Sequence, residues 1–233
     1  MCGGVSMKKK HLLNIGYPKC STTWLWSVLA SQEWVEATHR VDKENYELLR
    51  HGDIQQYYET YKQFDISANF CPVMFAIDRY LIKQLANNPQ IQVSIIVRNL
   101  FDLNFSLYSF LQGTNQTIAD YQDNIDNLLK QGTWWTSPAT IIQRWMEFFD
   151  STRFKVFFYD DIKESNNEFL KNYCLQVDLP LVKKQEYPLV NRTTTYKENI
   201  SGQMQDHQIE IFNEEIEKLE FLLEKDLSHW KQK

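Results

Sequence analysis

The sequence predicts an α/β fold in which a mostly parallel central sheet is flanked by helices. Apolar segments of strand length alternate with amphipathic segments of helix length, and such alternation is typical of parallel sheets. The 233 residues are 43% hydrophobic and 14% aromatic, which suits one well-packed core and argues against disorder. We therefore expect a flexible N-terminus over residues 1–10 and a single domain over residues 11–233.

Three short apolar segments are expected to be core strands. They are HLLNIG (11–16), IQVSIIV (91–97) and RFKVFFY (153–159). Helices are expected where apolar residues recur at helical spacing, and one or two short helices are expected around the break at His51-Gly52-Asp53. The helical segments are the stretch from Ser21 onward and residues 44–63, 73–88, 100–111, 138–149 and 209–230.

Charge and cysteine content limit the possible partners and the compartment. The net charge of −5 argues against a broad surface for nucleic acid or anionic membranes. No apolar run is long enough to span a membrane or to form a signal peptide after the basic start of the chain. The cysteines Cys2, Cys20, Cys71 and Cys174 form no CxxC pair, so neither a zinc site nor a disulfide framework is indicated. We expect a cytoplasmic protein, although a tethered enzyme without its anchor would have the same composition.

The segment NIGYPKCSTTWLW (14–26) has the pattern of an anion-binding corner, in which a strand leads through a tight loop into a helix. The amide N–H groups of a first helical turn and the helix dipole favour an anion at that place. Lys19 adds an ammonium group, and the run Ser21-Thr22-Thr23 adds hydroxyl donors. The glycines and the Lys-Ser/Thr junction of a nucleotide-triphosphate loop are missing. The alternative is a purely structural corner, with Pro18 shaping the turn and Ser21 capping the helix.

A second corner of the same kind is predicted for IIVRNLFDLNFSLYSF (95–110). Arg98 leaves the strand, Asn99 can cap the helix, and Asp102 lies three residues on, as in a capping box. Ser106 shares a helix face with Asp102, so Arg98 and Ser106 can converge on one phosphate. The alternative is a capped helix with a surface arginine and a solvated serine.

Taken together, these segments resemble sulfotransferases. YPKCSTTWL is similar to the family's 5′-phosphosulfate loop, P-K-x-G-T-T-x-L, and VRNLFDLNFSLY to its 3′-phosphate motif, R-N-P-x-D-x-x-x-S-x-Y. LEFLLEKDLSHW resembles the closing helix of bacterial and carbohydrate sulfotransferases, so the resemblance extends from residue 11 to residue 230. Ser21 replaces the usual glycine and must avoid positive φ or accept strain. Leu100 replaces a proline that only preorganises the first turn.

The resemblance implies a P-loop-NTPase-like sulfotransferase fold and transfer of a sulfuryl group from 3′-phosphoadenosine 5′-phosphosulfate (PAPS), which leaves 3′-phosphoadenosine 5′-phosphate (PAP). No metal is required. Lys19 is implied to contact the leaving oxygen, the following hydroxyls and amides the 5′-phosphate, and Arg98 with Ser106 the 3′-phosphate. The donor-binding residues expected are Lys19, Cys20, Ser21, Thr22, Thr23, Trp24, Arg98, Ser106, Arg192 and Lys197. A solvated loop is the alternative for Lys197, and core packing is the alternative for Trp24.

On the acceptor side the resemblance implies a base that takes the proton of a hydroxyl or amine. Lys43-Glu44 is similar to a K-E segment of carbohydrate-type members, so Glu44 is the first candidate, and His39 is the second because imidazole titrates near neutral pH. The alternative for Glu44 is a solvated carboxylate. The residues expected to border the acceptor are Lys43, Asp65, Ser67, Trp134 and Trp135. A capped turn at 64–70 and buried packing of the tryptophans are the alternatives.

We expect a small-molecule or glycan acceptor, and no nucleic acid or membrane partner. The net charge argues against a long polyanionic glycan, and the oligomeric state is not predicted. Two other functions stay open: a P-loop kinase, and a nucleotide-binding protein of the same fold without turnover. The missing Gly-Lys-Ser/Thr junction and the pair Arg98 and Ser106 argue against the kinase.

Overall fold

Five parallel strands form the central sheet, in the order β2-β3-β1-β4-β5. Their bounds are β1 Lys10–Asn14, β2 His39–Lys43, β3 Ile66–Phe70, β4 Ile91–Val97 and β5 Phe154–Phe158. The structure is a computed structural model that describes residues 9–35, 39–112, 137–183 and 204–232. Because the strands are parallel, their last residues share one side of the sheet, here called the carboxyl edge, and their first residues share the other, the amino edge.

Helices connect the strands and cover the sheet, as expected for parallel strands. Their bounds are α1 Thr22–Ala30, α2 Glu47–His51, α3 Ile54–Glu59, α4 Arg79–Ala86, α5 Leu100–Gln112, α6 Pro138–Met146, α7 Tyr159–Glu164, α8 Asn166–Gln176 and α9 Asp206–Leu223. Short 3₁₀ turns lie at Met74–Ala76 and Ser228–Trp230. The chain is thus a single α/β domain, as its sequence pattern predicts.

The core is built from the apolar strands and from large aromatic side chains on the helices around them. Trp24, Trp145 and Trp230 are each at most 1% exposed, and every residue of β3 is buried. The helices α6 and α9 pack together, and the buried Glu215 of α9 accepts a hydrogen bond from the backbone N–H of Ala139 at 2.9 Å. A carboxylate at a helix N-terminus is favourable because it satisfies an amide that the helix itself leaves unpaired.

The three predicted strands are confirmed as β1, β4 and β5, and the expected helices are present with different limits. The helix predicted over 73–88 begins only at Arg79, because the Asp78 side chain accepts from the Leu81 N–H and caps it there. The helix predicted over 209–230 runs from Asp206 to Leu223, because Glu224 adopts a left-handed conformation that ends it. The pattern did not reveal β2 and β3.

The order of the sheet brings the two predicted corners side by side. β1 leads into α1 and β4 leads into α5, and these two strands are hydrogen-bonded neighbours with Asn14 opposite Ser94. Ligands of open α/β sheets bind at this edge, beyond the ends of the strands. The fold therefore places both corners in one region of the carboxyl edge.

Candidate active site

The loop after β1 (residues 15–21, here the first loop) has an unusual backbone. Gly16 has φ of +88°, and a Cβ there would lie 2.4 Å from Pro72 Cα, so only glycine fits. Lys19 and Ser21 also have positive φ, 63° and 61°. Such conformations cost roughly 1–3 kcal/mol each in residues with a Cβ and are characteristic of functional sites. The backbone of the first loop therefore lowers stability at Lys19 and Ser21, as is typical of a loop that binds a ligand.

Buried polar groups hold the start of this loop in place. The Asn14 side chain accepts a hydrogen bond from the Gly16 N–H at 3.2 Å and donates one to Ser94 Oγ at 3.0 Å. Ser94 in turn lies 2.9 Å from the Tyr173 hydroxyl. Asn14 and Ser94 are 0% exposed, so these bonds are shielded from water and the entry to the loop is rigid.

The first helical turn of α1 faces the loop without a side-chain cap. Ser21 stands at the N-cap, but its left-handed backbone leaves its hydroxyl without a capping bond. The alternative of a purely structural corner capped by Ser21 therefore lacks its cap, and the amides of the first turn of α1 are placed as at helix N-termini that bind anions. Beside it, Thr23 is exposed and Thr22 is buried.

Arg98 joins the two corners. Its Nη1 donates to the Lys19 carbonyl oxygen at 2.9 Å, and its guanidinium carbon lies 4.4 Å from the centre of the Tyr159 ring. Nη2 lies 3.7 Å from Asp102 Oδ2, and the side chain is 12% exposed. Its Nε is buried and has no hydrogen-bond partner within the described part of the chain. A guanidinium held on three sides with one donor unused is suited to receive an anion.

The electrostatics of Lys19 support the same interpretation. Partial burial and the charge of Arg98 both lower the pKa of the Lys19 ammonium below its ordinary value. Two cations held this close together repel each other, and a bound anion would relieve that repulsion. Ser106, on the same helix as Asp102, is 3% exposed. The residues present thus fit a ligand that carries more than one negative group.

The end of the chain packs against the second corner. The Asn99 side chain accepts from the Phe101 N–H at 2.9 Å, which confirms its capping role, and donates to the Trp230 carbonyl oxygen at 3.2 Å. Trp230 Nε1 donates to Asp160 at 2.6 Å. Asp102, predicted to complete a capping box, instead faces Arg98 and Lys163.

Glu44 lies at the same edge, immediately after β2. Its carboxylate accepts hydrogen bonds from Lys43 Nζ and from the Tyr46 hydroxyl. Burial alone raises the pKa of the Glu44 carboxyl, but these hydrogen bonds and the Lys43 charge outweigh it and hold the pKa below its ordinary value. An open cleft of about 460 Å³ adjoins it, bordered also by Arg40 and Arg50.

The sequence model of the sulfotransferase domain matches residues 9–233. The chain belongs to the sulfotransferase family. A crystal structure of a sulfotransferase from Alicyclobacillus acidocaldarius shares its fold, with a TM-score of 0.69 and 14% identity over 96% of this chain and 99% of that one. Mouse sulfotransferase SULT7A1 complexed with PAP aligns with a TM-score of 0.57 and 17% identity over 94% and 88%. No curated protein sequence matches the chain.

Three predicted acceptor-side residues of this sulfotransferase lie at the opposite edge of the sheet. His39 opens β2 opposite Ile66, and its ring lies beside Trp34 with both nitrogens buried and without a hydrogen-bond partner among the described residues. Asp65 precedes β3, and Ser67 is 2% exposed with its Oγ 2.8 Å from His11 Nδ1. The structure does not bring these residues together with Lys19, because they stand at the beginnings of strands whose ends form the site.

Two predicted donor-binding side chains belong to the core. Trp24 is 1% exposed and packs 6.2 Å from the Phe169 ring, so it offers no face to an adenine. Cys20 is 0% exposed, and burial raises the pKa of its thiol to about 12, so the side chain is neither a phosphate ligand nor reactive. Only the backbone of Cys20 can contribute to the first loop.

Four expected site residues lie outside the described residues: Trp134, Trp135, Arg192 and Lys197. Within the described ranges, no helix is long and apolar enough to cross a membrane, and no cluster of His, Cys, Asp and Glu is arranged to hold a metal ion.

Two side chains at the site were not found from the sequence. Tyr159 follows β5 and supports the Arg98 guanidinium, and Asn69 of β3 binds the backbone beside Glu44. Recognising ISANF (66–70) as a strand would have placed Asn69 one residue before the carboxyl edge. The polar residues Ser67 and Asn69 interrupt the apolar run that indicates a buried strand, so the segment was not predicted as one.

Proposed function

We propose that this sulfotransferase uses PAPS as donor and transfers its sulfuryl group to a hydroxyl or amine of a polar acceptor. The observation that carries the proposal is the 2.9 Å hydrogen bond from Arg98 to the Lys19 carbonyl oxygen, which joins two anion-binding corners into one site. PAPS is a donor with phosphate groups at both the 5′ and 3′ positions. The mouse sulfotransferase of the same fold, complexed with PAP, supports this choice.

Each corner has a distinct role in this proposal. The first loop and the uncapped turn of α1 bind the 5′-phosphosulfate, with the hydroxyls of Ser21, Thr22 and Thr23 as further donors. Lys19 stabilises the charge that develops on the leaving oxygen as the S–O bond to the 5′-phosphate breaks. Arg98 and Ser106 bind the 3′-phosphate, which distinguishes this donor from ATP. In-line transfer then needs only the acceptor and a base.

Glu44 is the proposed base. Its carboxylate is ionised at neutral pH, as that of an ordinary glutamate is, so it can take the acceptor proton as the new S–O or S–N bond forms. His39 is not proposed again, because it lies at the amino edge, four residues before Lys43 along an extended strand and therefore about 13 Å away.

The cleft beside Glu44 favours a polar acceptor such as a carbohydrate over a small phenol. The residues that border it are charged or polar, and Tyr46 is the one aromatic among those described. Sites for flat apolar acceptors are lined mainly by hydrophobic and aromatic side chains. The cleft contains both acidic and basic groups, including Glu47 and Arg50, which suits an acceptor rich in hydroxyl groups.

A thermal-shift titration tests the donor. PAP should raise the melting temperature, and Lys19→Ala and Arg98→Ala should each weaken binding by roughly 10- to 100-fold through loss of charge-assisted hydrogen bonds. Stabilisation by Mg-ATP and not by PAP would contradict the proposal and favour a kinase.

Transfer of label from PAPS to a panel of sugars and phenols tests the base. Glu44→Gln should lower the rate by roughly 100- to 10,000-fold while PAP binding persists. Glu168→Gln, at an exposed glutamate of α8 outside the cleft, is the control and should keep most of the activity. Equal losses in both variants would show that Glu44 has no special role. PAP binding without transfer to any acceptor would indicate a nucleotide-binding protein.

A further inference from the structure

Glu44 has a backbone conformation that residues with a Cβ rarely adopt. Its φ is +64° at the first position after β2. Such a conformation persists only where the surroundings hold it. Two of the other left-handed residues, Asp178 and Glu224, simply end helices, where the conformation is common. Glu44 ends a strand, so another cause is needed.

The neighbouring strand supplies that cause. The Glu44 N–H donates to the Phe70 carbonyl oxygen at 3.1 Å. The next residue, Asn45, has both of its backbone groups bound by one side chain: Asn69 Oδ1 accepts from the Asn45 N–H, and Asn69 Nδ2 donates to the Asn45 carbonyl oxygen, each at 3.0 Å. Only a carboxamide both accepts and donates in this way. Asn69 thus continues the pairing of β2 with β3 beyond the end of the strand.

Asn69 itself is held by a buried chain of hydrogen bonds. Its second Nδ2 proton points to the Tyr57 hydroxyl at 3.2 Å, and that hydroxyl lies 2.8 Å from His11 Nε2. His11 Nδ1 lies 2.8 Å from Ser67 Oγ, which donates to the Lys10 carbonyl oxygen at 3.4 Å. Every proton has an acceptor if His11 is neutral with its proton on Nδ1. This sequence of donors and acceptors determines which end of the Asn69 carboxamide is the oxygen and which is the nitrogen.

We propose that Asn69 is a positioning residue for Glu44: by binding the Asn45 backbone, it fixes the left-handed turn that directs the Glu44 carboxylate to Lys43, Tyr46 and the cleft. The inference rests on the proposed role of Glu44 as the base. Asn69 touches neither donor nor acceptor and acts only through the backbone beside Glu44. Its effect should therefore appear in the properties of that carboxylate and not in donor affinity.

The direct measurement is the pKa of Glu44, followed by NMR of ¹³C-labelled glutamate side chains with Glu44→Gln for assignment. The ionisable groups that face this carboxyl are Lys43, Tyr46, Arg50 and Cys71. Asn69→Ala and the neutral, similarly sized Asn69→Leu should raise the pKa, because the turn relaxes and the hydrogen bonds from Lys43 and Tyr46 weaken. Tyr57→Phe, which removes the hydroxyl that supports Asn69 and also pairs with His11, should raise it less.

Donor binding and turnover complete the test. In the Asn69 variants, sulfuryl transfer at saturating PAPS should fall about tenfold to 100-fold through misplacement of the base. The Kd of PAP should stay within about twofold, since the phosphate corners share no partner with Asn69. Ile142→Val, a buried change in α6 away from the site, is the control for lost stability and should move neither the pKa nor the rate.

An unchanged Glu44 pKa in folded Asn69→Ala and Tyr57→Phe would overturn the inference, and so would a PAP affinity that falls as much as the rate. Should Asn69→Ala fail to fold, Tyr57→Phe alone decides. If the pKa rises as expected but Glu44→Gln transfers at the wild-type rate, the proposed base is wrong while the positioning of Glu44 by Asn69 stands.

Discussion

The two edges of the sheet use polar residues in opposite ways. At the carboxyl edge, Lys19, Ser21 and Glu44 account for three of the five left-handed non-glycine residues among those described, and the buried Nε of Arg98 is an unused donor. At the amino edge, His11 is buried with both ring nitrogens hydrogen-bonded and its backbone is an ordinary strand. The backbone around the candidate site is strained and keeps an open donor, whereas the His11 network is fully hydrogen-bonded.

The difference indicates that the groups around the candidate site serve ligand binding, whereas the buried His11 network serves the stability of the fold. Strained backbone and unpaired donors lower stability and persist where a ligand uses them. A fully paired buried network stabilises the fold and leaves nothing to offer a ligand. Variants at the carboxyl edge should therefore change ligand binding more than stability, and variants at the amino edge should do the reverse.

The largest effect is expected at Gly16, where a substitution should lower both the unfolding free energy and the affinity for PAP. Gly16→Ala puts a Cβ 2.4 Å from Pro72 Cα at a positive φ, so the loop must move. We expect a loss of about 3 kcal/mol in unfolding free energy, measured by urea titration, and no measurable PAP binding. Gly52→Ala is the matched control: its φ is also positive, +63°, but no atom lies within 4 Å of the added Cβ.

Gly52→Ala should cost only about 1 kcal/mol and leave PAP binding intact. Similar losses of PAP affinity in both variants would contradict the view that the close approach to Pro72 shapes the anion site.

At the amino edge, the expected effect is on stability as a function of pH. Burial lowers the pKa of His11 from 6.5 to about 3. Since the unfolded imidazole binds a proton at a higher pH than the folded one, this contribution is complete above pH 6.5 and is lost as the pH falls towards 3. At pH 5 the loss is about 2 kcal/mol.

His11→Gln does not titrate, so the difference in unfolding free energy between wild type and this variant should shrink by about 2 kcal/mol from pH 7 to pH 5. Ile142→Val, a buried change that removes no titrating group, is the control for lost stability and should keep the wild-type dependence. Parallel curves for wild type and His11→Gln would show that the buried network does not set acid stability. PAP binding at pH 7 should survive in His11→Gln, as expected for the amino edge.

The smallest effect is a gain in stability. Ser21→Gly removes the strain of a left-handed serine and should add about 1 kcal/mol to the unfolding free energy, while the loss of one hydroxyl donor lowers PAP affinity by no more than about tenfold. Ser31→Gly at the other end of α1, where φ is −84°, is the control and should destabilise slightly. A Ser21→Gly protein that is no more stable would mean that the serine makes compensating contacts.

The sequence was most informative where a strand could be recognised. The two strand–loop–helix corners were predicted because β1 and β4 are apolar and their motifs follow directly, and the sheet order places Lys19 and Arg98 together. β2, HRVDK, has a single apolar residue. Without that strand, His39 and Glu44 look like neighbours, whereas the extended backbone separates them.

The contact between Arg98 and the Lys19 carbonyl and the support of Glu44 by Asn69 could not be predicted from the sequence. Both depend on which strands lie side by side, and the pairing of β1 with β4 and of β2 with β3 is a tertiary property. The positive φ of Lys19, Ser21 and Glu44 contradicts local preference and arises from the same packing.

The central claim is that the two corners form one two-phosphate site through Arg98. Calorimetric titration of wild type and Arg98→Ala with PAP and with adenosine 5′-phosphate, which lacks the 3′-phosphate, tests it directly. Wild type should prefer PAP by about 100-fold, and Arg98→Ala should reduce that preference about tenfold or more. A preference that Arg98→Ala leaves unchanged, or a wild type that binds both nucleotides equally, would contradict the account.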